Sequence, residues 1–194
     1  MDHQNTMKTK AVFLDRDGTL NADSVHYIKS ADEFHLFNYT ADALRILTRL
    51  GYMNILITNQ SALGRNMITV KEIENIHLRL KTAIRRVGAE IHGIYYCPHL
   101  PDDNCECRKP KIGNLEKAIR DFNIDIGKSF FIGDSFKDIQ TGAAVGCRTI
   151  FVRTGIDSSS IKTLKKWNPR PDFIAENLLE AAQLIECIER NRDL

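Results

Sequence analysis

The stretch FLDRDGTLN, residues 13–21, places two aspartates, Asp15 and Asp17, directly after an apolar run. Side chains two apart on an extended segment point to the same side. The mutual repulsion of two such carboxylates costs free energy unless a cation lies close to both. We therefore expect a short buried strand over 11–14 that delivers two carboxylates to a cation-binding site.

Short apolar runs and helical patterns alternate along the rest of the chain. Further strands are predicted at 54–58, 91–96, 129–133 and 148–152. A helix is predicted over 70–87, where Thr69 and Glu72 have the spacing of a capping box, and apolar stripes indicate helices over 115–122 and 178–185. This alternation predicts an α/β fold, a parallel sheet covered on both faces by helices.

Length and charge limit the classes of function that are open to the chain. Its 194 residues suffice for one well-buried domain, and a net charge of +2 gives no reason to expect a nucleic-acid or membrane partner. The first ten residues have no apolar core, and no apolar stretch approaches the roughly 20 residues of a membrane span. We expect a cytoplasmic protein, in which cysteines serve as ligands or core residues rather than as disulfides.

The predicted organisation is a single domain over 1–194 without a large cap domain. We expect residues 1–9 to form a flexible tail. The stretches 20–37 and 97–113 fit neither the helix nor the strand period, so the first is interpreted as a flap and the second as a loop held by something other than a core. A third irregular stretch, 154–171, is predicted to be a surface loop.

Polar side chains follow four of the predicted strands at the points where these strands end. In parallel α/β sheets, ligands bind at the carboxyl ends of the strands. Carboxylates, hydroxyls, amides and cations from distant parts of the chain should therefore meet at one edge: Asp15, Asp17, Thr58, Asn59, Gln60, Ser61, Arg108, Lys109, Asp134 and Asp138.

These residue types suit phosphoryl transfer. A carboxylate attacks a phosphoryl group only if cations offset the repulsion between them, and Mg²⁺ is usually held by one or two carboxylates and the substrate phosphate. Thr58 and Asn59 can donate hydrogen bonds to phosphate oxygens, while Lys109 offers a compact charge and Arg108 a planar fork. Asp138 either supports Lys109 or another cation of the site, which we favour, or lies in the first turn of a helix.

A second constellation comprises Cys97, His99, Cys105 and Cys107. Three thiolates and one imidazole make a closed tetrahedral site suited to structural Zn²⁺. Such an ion would order a loop that is too polar to pack by itself. Because Arg108 and Lys109 follow the last ligand, the zinc is expected to position these two cations. The alternative to a zinc site is that the cysteines share this loop by coincidence.

Four segments resemble the motifs of the haloacid dehalogenase superfamily: DRDGT at 15–19, TNQ at 58–60, the pair Arg108-Lys109, and GDSFKD at 133–138. The resemblance implies a Rossmann-like sheet with Asp15 as nucleophile and Asp17 as general acid and base. It also implies a Mg²⁺ site at Asp15, Asp17 and Asp134. An aspartate at the position of Asp17 favours hydrolysis of a phosphate ester over dehalogenation.

Within the superfamily, FLDRDGTLN, TNQSALGR, CECRKPK and VRTG resemble the branch of heptose bisphosphate 7-phosphatases and histidinol-phosphate phosphatases. The resemblance implies that the flap covers the substrate, with Asp23 and His26 among the contacts, besides Asn59, Gln60 and Ser61. Arg65 either reaches a second phosphate or is a surface arginine. One departure is Ser135, where the heptose enzymes often have lysine.

Three functions are open to the chain. The favoured one, which the resemblance implies, is Mg²⁺-dependent hydrolysis of the C7 phosphate of D-glycero-D-manno-heptose 1,7-bisphosphate, in nucleotide-heptose and lipopolysaccharide synthesis, by a monomer. The alternative is a histidinol-phosphate phosphatase of histidine synthesis. A remote third is a zinc module that binds nucleic acid through CRKPK, which Asp102, Asp103 and Glu106 disfavour by their charge.

Overall fold

Six parallel strands form one sheet in the computed structural model, which describes residues 8–156 and 164–191. Its strand order, β3-β2-β1-β4-β5-β6, is that of a Rossmann-like sheet. The strands are β1 Ala11–Leu14, β2 Met53–Asn59, β3 Gly93–Cys97, β4 Phe130–Gly133, β5 Arg148–Val152 and β6 Phe173–Ala175. The predicted α/β class and parallel sheet are confirmed, and the first five strands lie where the apolar runs predicted them.

Helices cover both faces of the sheet. They are α1 Thr40–Arg49, α2 Ser61–Gly64, α3 Val70–Arg85, α4 Gly113–Asp121, α5 Phe136–Ala144 and α6 Leu178–Arg190. The predicted capping box of α3 is present, since Thr69 Oγ1 accepts from the Glu72 amide and the Glu72 carboxylate accepts from the Thr69 amide. Among the described residues, no helix is both long enough and apolar enough to cross a bilayer.

The alternation of side chains along β1 divides the core between the two faces. Val12 and Leu14 belong to one apolar cluster, and Ala11 and Phe13 belong to another. All four side chains are fully buried. The strand is therefore apolar throughout, as expected for the centre of a parallel sheet with both faces covered.

The functional residues lie at the carboxyl edge of this sheet. Leu14 pairs with Leu56 of β2 and with Ile132 of β4, so the segments that follow these strands emerge side by side. The loop 20–37 has no helix or strand, and a bridge between Asn21 and Leu36 holds its ends together.

Parts of the predicted irregular segments lie outside the described residues. Residues 1–7 of the predicted tail and residues 157–163 of the third irregular stretch belong to this group. Thr9, at the end of the predicted tail, hydrogen-bonds through its main chain to Asn123 and Asp125, at 3.0 and 2.7 Å. The main chain of Thr9 is therefore held against the segment between α4 and β4.

Candidate active site

A buried lysine joins two carboxylates at the centre of the carboxyl edge. Lys109 Nζ lies 2.9 Å from Asp15 Oδ1 and 2.5 Å from Asp138 Oδ1. The side chains of Lys109 and Asp138 are 3% and 0% exposed. Oxygens of Asp15, Asp134 and Asp138 lie within 4.8 Å of one another. Three separate segments of the chain thus meet here, as the sequence predicted.

The carboxylates of this cluster carry more negative charge than one lysine neutralises. Burial, opposed by Lys109 and reinforced by Asp138, raises the pKa of Asp15 to about 6. Burial and then the charges of Asp15 and Asp138 raise the pKa of Asp134 to about 9. Burial alone would lower the pKa of Lys109, but Asp138 and Asp15 outweigh it and raise that pKa. Crowded oxygen ligands with unbalanced charge fit a hard divalent cation, which would keep both aspartates ionised.

Asp17 belongs to a different network from Asp15. Its carboxylate accepts from Arg16 Nε and Nη2 at 3.0 and 2.8 Å, and from the side-chain amides of Asn21 and Gln60, each at 2.9 Å. Burial raises the pKa of Asp17, but Arg16 and the amide donors outweigh burial and lower that pKa. The carboxylate is therefore held ionised, and it lies outside the cluster of Asp15, Asp134 and Asp138 that can hold a metal.

Arg16 and Asn21 were not singled out from the sequence. Arg16 is fully buried, and its guanidinium pairs with the carboxylate of the next residue, Asp17. Its position between two acidic residues was the available signal. Nothing in the spacing indicated that the chain would turn at Gly18, whose φ is +77°, and bring Asn21 back to Asp17.

Residues at the end of β2 and just after it orient the site. Asn59 clamps the main chain of Lys109, donating to its carbonyl at 3.1 Å and accepting from its amide at 3.0 Å. Gln60 donates to Thr58 Oγ1 at 3.0 Å as well as to Asp17. Ser61 Oγ accepts from Arg108 at 2.9 Å.

A cavity of about 670 Å³ opens above these groups. Its wall includes the predicted residues Asp15, Asp17, Asp23, Thr58, Asn59, Gln60, Arg108, Lys109 and Asp134, together with Tyr27, Ser135, Phe136, Lys137 and Gln140. Three residues predicted to contact substrate are not part of this wall. His26 lines an adjoining cavity of about 300 Å³, the Arg65 guanidinium lies 6.0 Å from the ring centre of Tyr27, and Ser61 contacts Arg108 instead.

The four predicted zinc ligands form a cluster of their own. His99 Nδ1 lies 3.6 Å from Cys97 Sγ and 3.2 Å from Cys107 Sγ. Cys105 Sγ lies 3.5 Å from that of Cys97 and 3.6 Å from that of Cys107. These separations exceed a disulfide bond of about 2.05 Å, and the nitrogen and sulfur ligands can hold a metal ion. Burial raises the pKa of Cys97 to about 12, so a bound cation would be required to keep this thiolate ionised.

Comparisons with known proteins show which family the chain resembles. A family model described as HAD-hydrolase-like matches residues 106–181. Two relatives are both named D-glycero-beta-D-manno-heptose-1,7-bisphosphate 7-phosphatase. The one from Neisseria meningitidis serogroup A is 37% identical and covers 91% of this chain and 94% of its own. The one from Pseudomonas aeruginosa is 35% identical, and the match covers 92% of this chain and 99% of the relative.

A solved structure gives the same result. The D,D-heptose 1,7-bisphosphate phosphatase from B. bronchiseptica, complexed with magnesium and phosphate, has a TM-score of 0.83 and 33% identity to this chain. The match covers 93% of this chain and 99% of that one. The chain therefore belongs to the haloacid dehalogenase-like phosphatases, in the family of the heptose-1,7-bisphosphate 7-phosphatases.

Proposed function

We propose that the chain hydrolyses the C7 phosphate of D-glycero-D-manno-heptose 1,7-bisphosphate through a phosphorylated Asp15. The observation that carries this proposal is the ion pair of buried Lys109 with Asp15, beside Asp134, at the floor of a cavity. The names of relatives that match over nine-tenths of the chain supply the substrate.

In the first step, a carboxylate oxygen of Asp15 attacks phosphorus, and the bond from phosphorus to the C7 oxygen of the sugar breaks. Lys109 lies 2.9 Å from Asp15, where it can stabilise the negative charge of the transferring group. Asp138 holds Lys109 in place from the buried side, and Asn59 fixes its main chain. The geometry is thus set before the substrate arrives, which lowers the barrier to the reaction.

Asp17 transfers the proton in both steps, as general acid in the first and general base in the second. Its network favours the ionised form, which suits the second step, where Asp17 takes a proton from the water that attacks phosphorus and frees Asp15. In the first step it must carry a proton and give it to the leaving sugar oxygen. A dianionic phosphate bound nearby would raise the pKa of Asp17 and favour that form.

We assign Asp15 and Asp134 as the carboxylate ligands of a catalytic Mg²⁺. When bound, the ion offsets the negative charge that otherwise raises the pKa values of these two groups. Because four hydrogen bonds already occupy the carboxylate of Asp17, we do not assign this carboxylate to the metal. Thr58 offers a hydroxyl donor to the oxygens of the reacting phosphate, and Arg108 adds a cationic donor for phosphate oxygens to the wall of the same cavity.

We assign a structural Zn²⁺ to Cys97, His99, Cys105 and Cys107. Four protein ligands would complete a tetrahedral site and leave no position open for substrate. The last of them precedes Arg108, whose guanidinium also donates to the His99 carbonyl at 3.1 Å. The zinc loop would thereby position the Arg108-Lys109 pair. Exposed Asp102 and Asp103 of this loop oppose nucleic-acid binding by their negative charge. We further propose that the enzyme is a monomeric, cytoplasmic, single-domain protein.

A substrate panel tests the proposal. Phosphate release from heptose 1,7-bisphosphate and from histidinol phosphate is measured in Mg²⁺ for the wild type, for Asp15→Asn and for Asp42→Asn. Asp42 is an exposed aspartate of α1 and serves as the matched control. We expect rapid hydrolysis of the bisphosphate by the wild type and Asp42→Asn, and none by Asp15→Asn. A preference for histidinol phosphate would refute the substrate, and an active Asp15→Asn would refute the nucleophile.

A further inference from the structure

A second, smaller cavity adjoins the active-site cavity. It has a volume of about 260 Å³ and shares four wall residues with the larger one: Arg108, Lys109, Pro110 and Lys137. Three of these four side chains are cationic. The boundary between the two cavities is therefore positively charged, and only Lys109 is committed to the carboxylates of the reaction centre.

Lys137 has no ion-pair partner among the described residues. It is the second residue of α5 and is exposed, whereas the next residue, Asp138, is fully buried against Lys109. Gln140 lies three residues further along the helix and lines the same cavity, as expected for neighbours on one helix face. Lys137 and Gln140 therefore present a charge and an amide to the cavity from one side of α5.

Arg108 faces the same region from the zinc loop. Its hydrogen-bond acceptors, the Ser61 hydroxyl and the His99 carbonyl, are both neutral, so no described residue cancels its charge. Lys111 differs, because Glu106 neutralises it at 2.9 Å. Lys137 and Arg108 are thus the cations of this boundary that remain available to an anion.

We propose that Lys137, with Gln140 and Arg108, binds the phosphate that is not cleaved. This inference rests on the proposed function, since only a bisphosphate brings a second dianion. Lys109 is held at the reacting phosphate, so the second phosphate needs other cations, and an ammonium on a flexible stem suits it. Arg65, which the sequence suggested for this role, packs near Tyr27 and does not line the cavity.

Two substrates with the same scissile group test the subsite: heptose 1,7-bisphosphate and heptose 7-phosphate. The Lys137→Gln variant should lose about 10- to 100-fold in kcat/KM on the bisphosphate, the usual effect of losing a hydrogen bond to a charged group. Its kcat/KM on the monophosphate should stay within about twofold of wild type. Lys137→Arg should retain most activity on both substrates.

Lys71→Gln is the matched control, because Lys71 is also an exposed second residue of its helix, α3. It should behave as wild type on both substrates. Inhibition by the product, heptose 1-phosphate, gives an independent measurement, and its inhibition constant should rise in Lys137→Gln by the same factor as the loss on the bisphosphate.

The outcomes separate this inference from the function on which it rests. A wild type that does not hydrolyse the bisphosphate would refute the proposed function and this subsite together. The subsite alone would be overturned if the wild type hydrolyses the bisphosphate but Lys137→Gln either keeps wild-type kcat/KM on it or loses equally on both substrates.

Discussion

Replacing Lys109 with methionine isolates what its charge contributes to folding and to catalysis. The change keeps an aliphatic stem but removes the ammonium that pairs with Asp15 and Asp138. Asp138 is fully buried and, among the described residues, would keep the Ser135 amide and hydroxyl as donors, at 3.0 and 2.6 Å. Breaking a buried ion pair costs about 3–5 kcal/mol, so we expect the free energy of unfolding to fall by about that much.

A second variant, Lys109→Met with Asp138→Asn, separates the two effects. It removes the unpaired charge, so most of the lost stability should return. Activity should not return, because Asp15 and the transferring group still lack their cation, and the loss of one such donor lowers kcat by about 10²- to 10³-fold. Urea unfolding and phosphate release in Mg²⁺ measure the two quantities. Wild-type stability in the single variant, or wild-type kcat in the double variant, would refute this reasoning.

Three further predictions concern the surroundings of the site. Burial lowers the pKa of His77 to about 3 from 6.5. Between pH 7 and pH 5, His77 should gain a proton in the unfolded chain but not in the folded one, so the unfolding free energy of the wild type should fall by about 2 kcal/mol. In urea titrations, the unfolding free energy of His77→Gln should fall by about 2 kcal/mol less than that of the wild type over this pH range. A pH dependence equal to that of the wild type would contradict this. Metal analysis should find one zinc per chain in the wild type and in Cys187→Ser but less in Cys105→Ser; full zinc in Cys105→Ser would refute the assigned site. Asn59→Leu removes the two hydrogen bonds to the main chain of Lys109 and should lower kcat by about 10- to 100-fold, because a misplaced Lys109 stabilises the reacting group less well. A wild-type kcat would show that these hydrogen bonds are not needed to position Lys109.

The central sheet could be predicted because its strands are short, continuous apolar runs. The last strand, Phe173–Ala175, was missed, since three residues are too few to show a period. Helix α5 was not predicted from an apolar stripe, although the first turn of a helix was one of the two interpretations of Asp138, which does lie there. Its buried positions include Thr141 and Gly142, and a side chain at Gly142 would approach Phe131 Cβ within 2.8 Å. Close packing on the sheet demands small residues there, so the apolar stripe is weak.

The meeting of Asp15, Lys109 and Asp134 followed from parallel topology, because the ends of neighbouring strands share one edge. The directions of the side chains could not be predicted in the same way. Asn59 faces the main chain of Lys109, and Asp17 faces Arg16, because loop turns set these contacts. Sequence spacing does not encode such turns.

The loop 20–37 illustrates the same limit. It was expected to cover the substrate, with Asp23 and His26 among the contacts, and Asp23 does line the active-site cavity. His26, three residues later, lines a different cavity. Between them the chain bends, with a hydrogen bond from the Tyr27 amide to the Ser24 carbonyl at 3.1 Å. A local turn thus decides which side chains of an irregular segment reach the site.

The stereochemical course at phosphorus tests the central claim, that phosphate passes through Asp15 on its way to water. The measurement uses a bisphosphate whose C7 phosphate is chiral through oxygen isotopes, and it determines the configuration of the released phosphate. Two successive in-line displacements, first by Asp15 and then by water, predict net retention. Net inversion would mean that water attacks the substrate directly, and it would contradict the account.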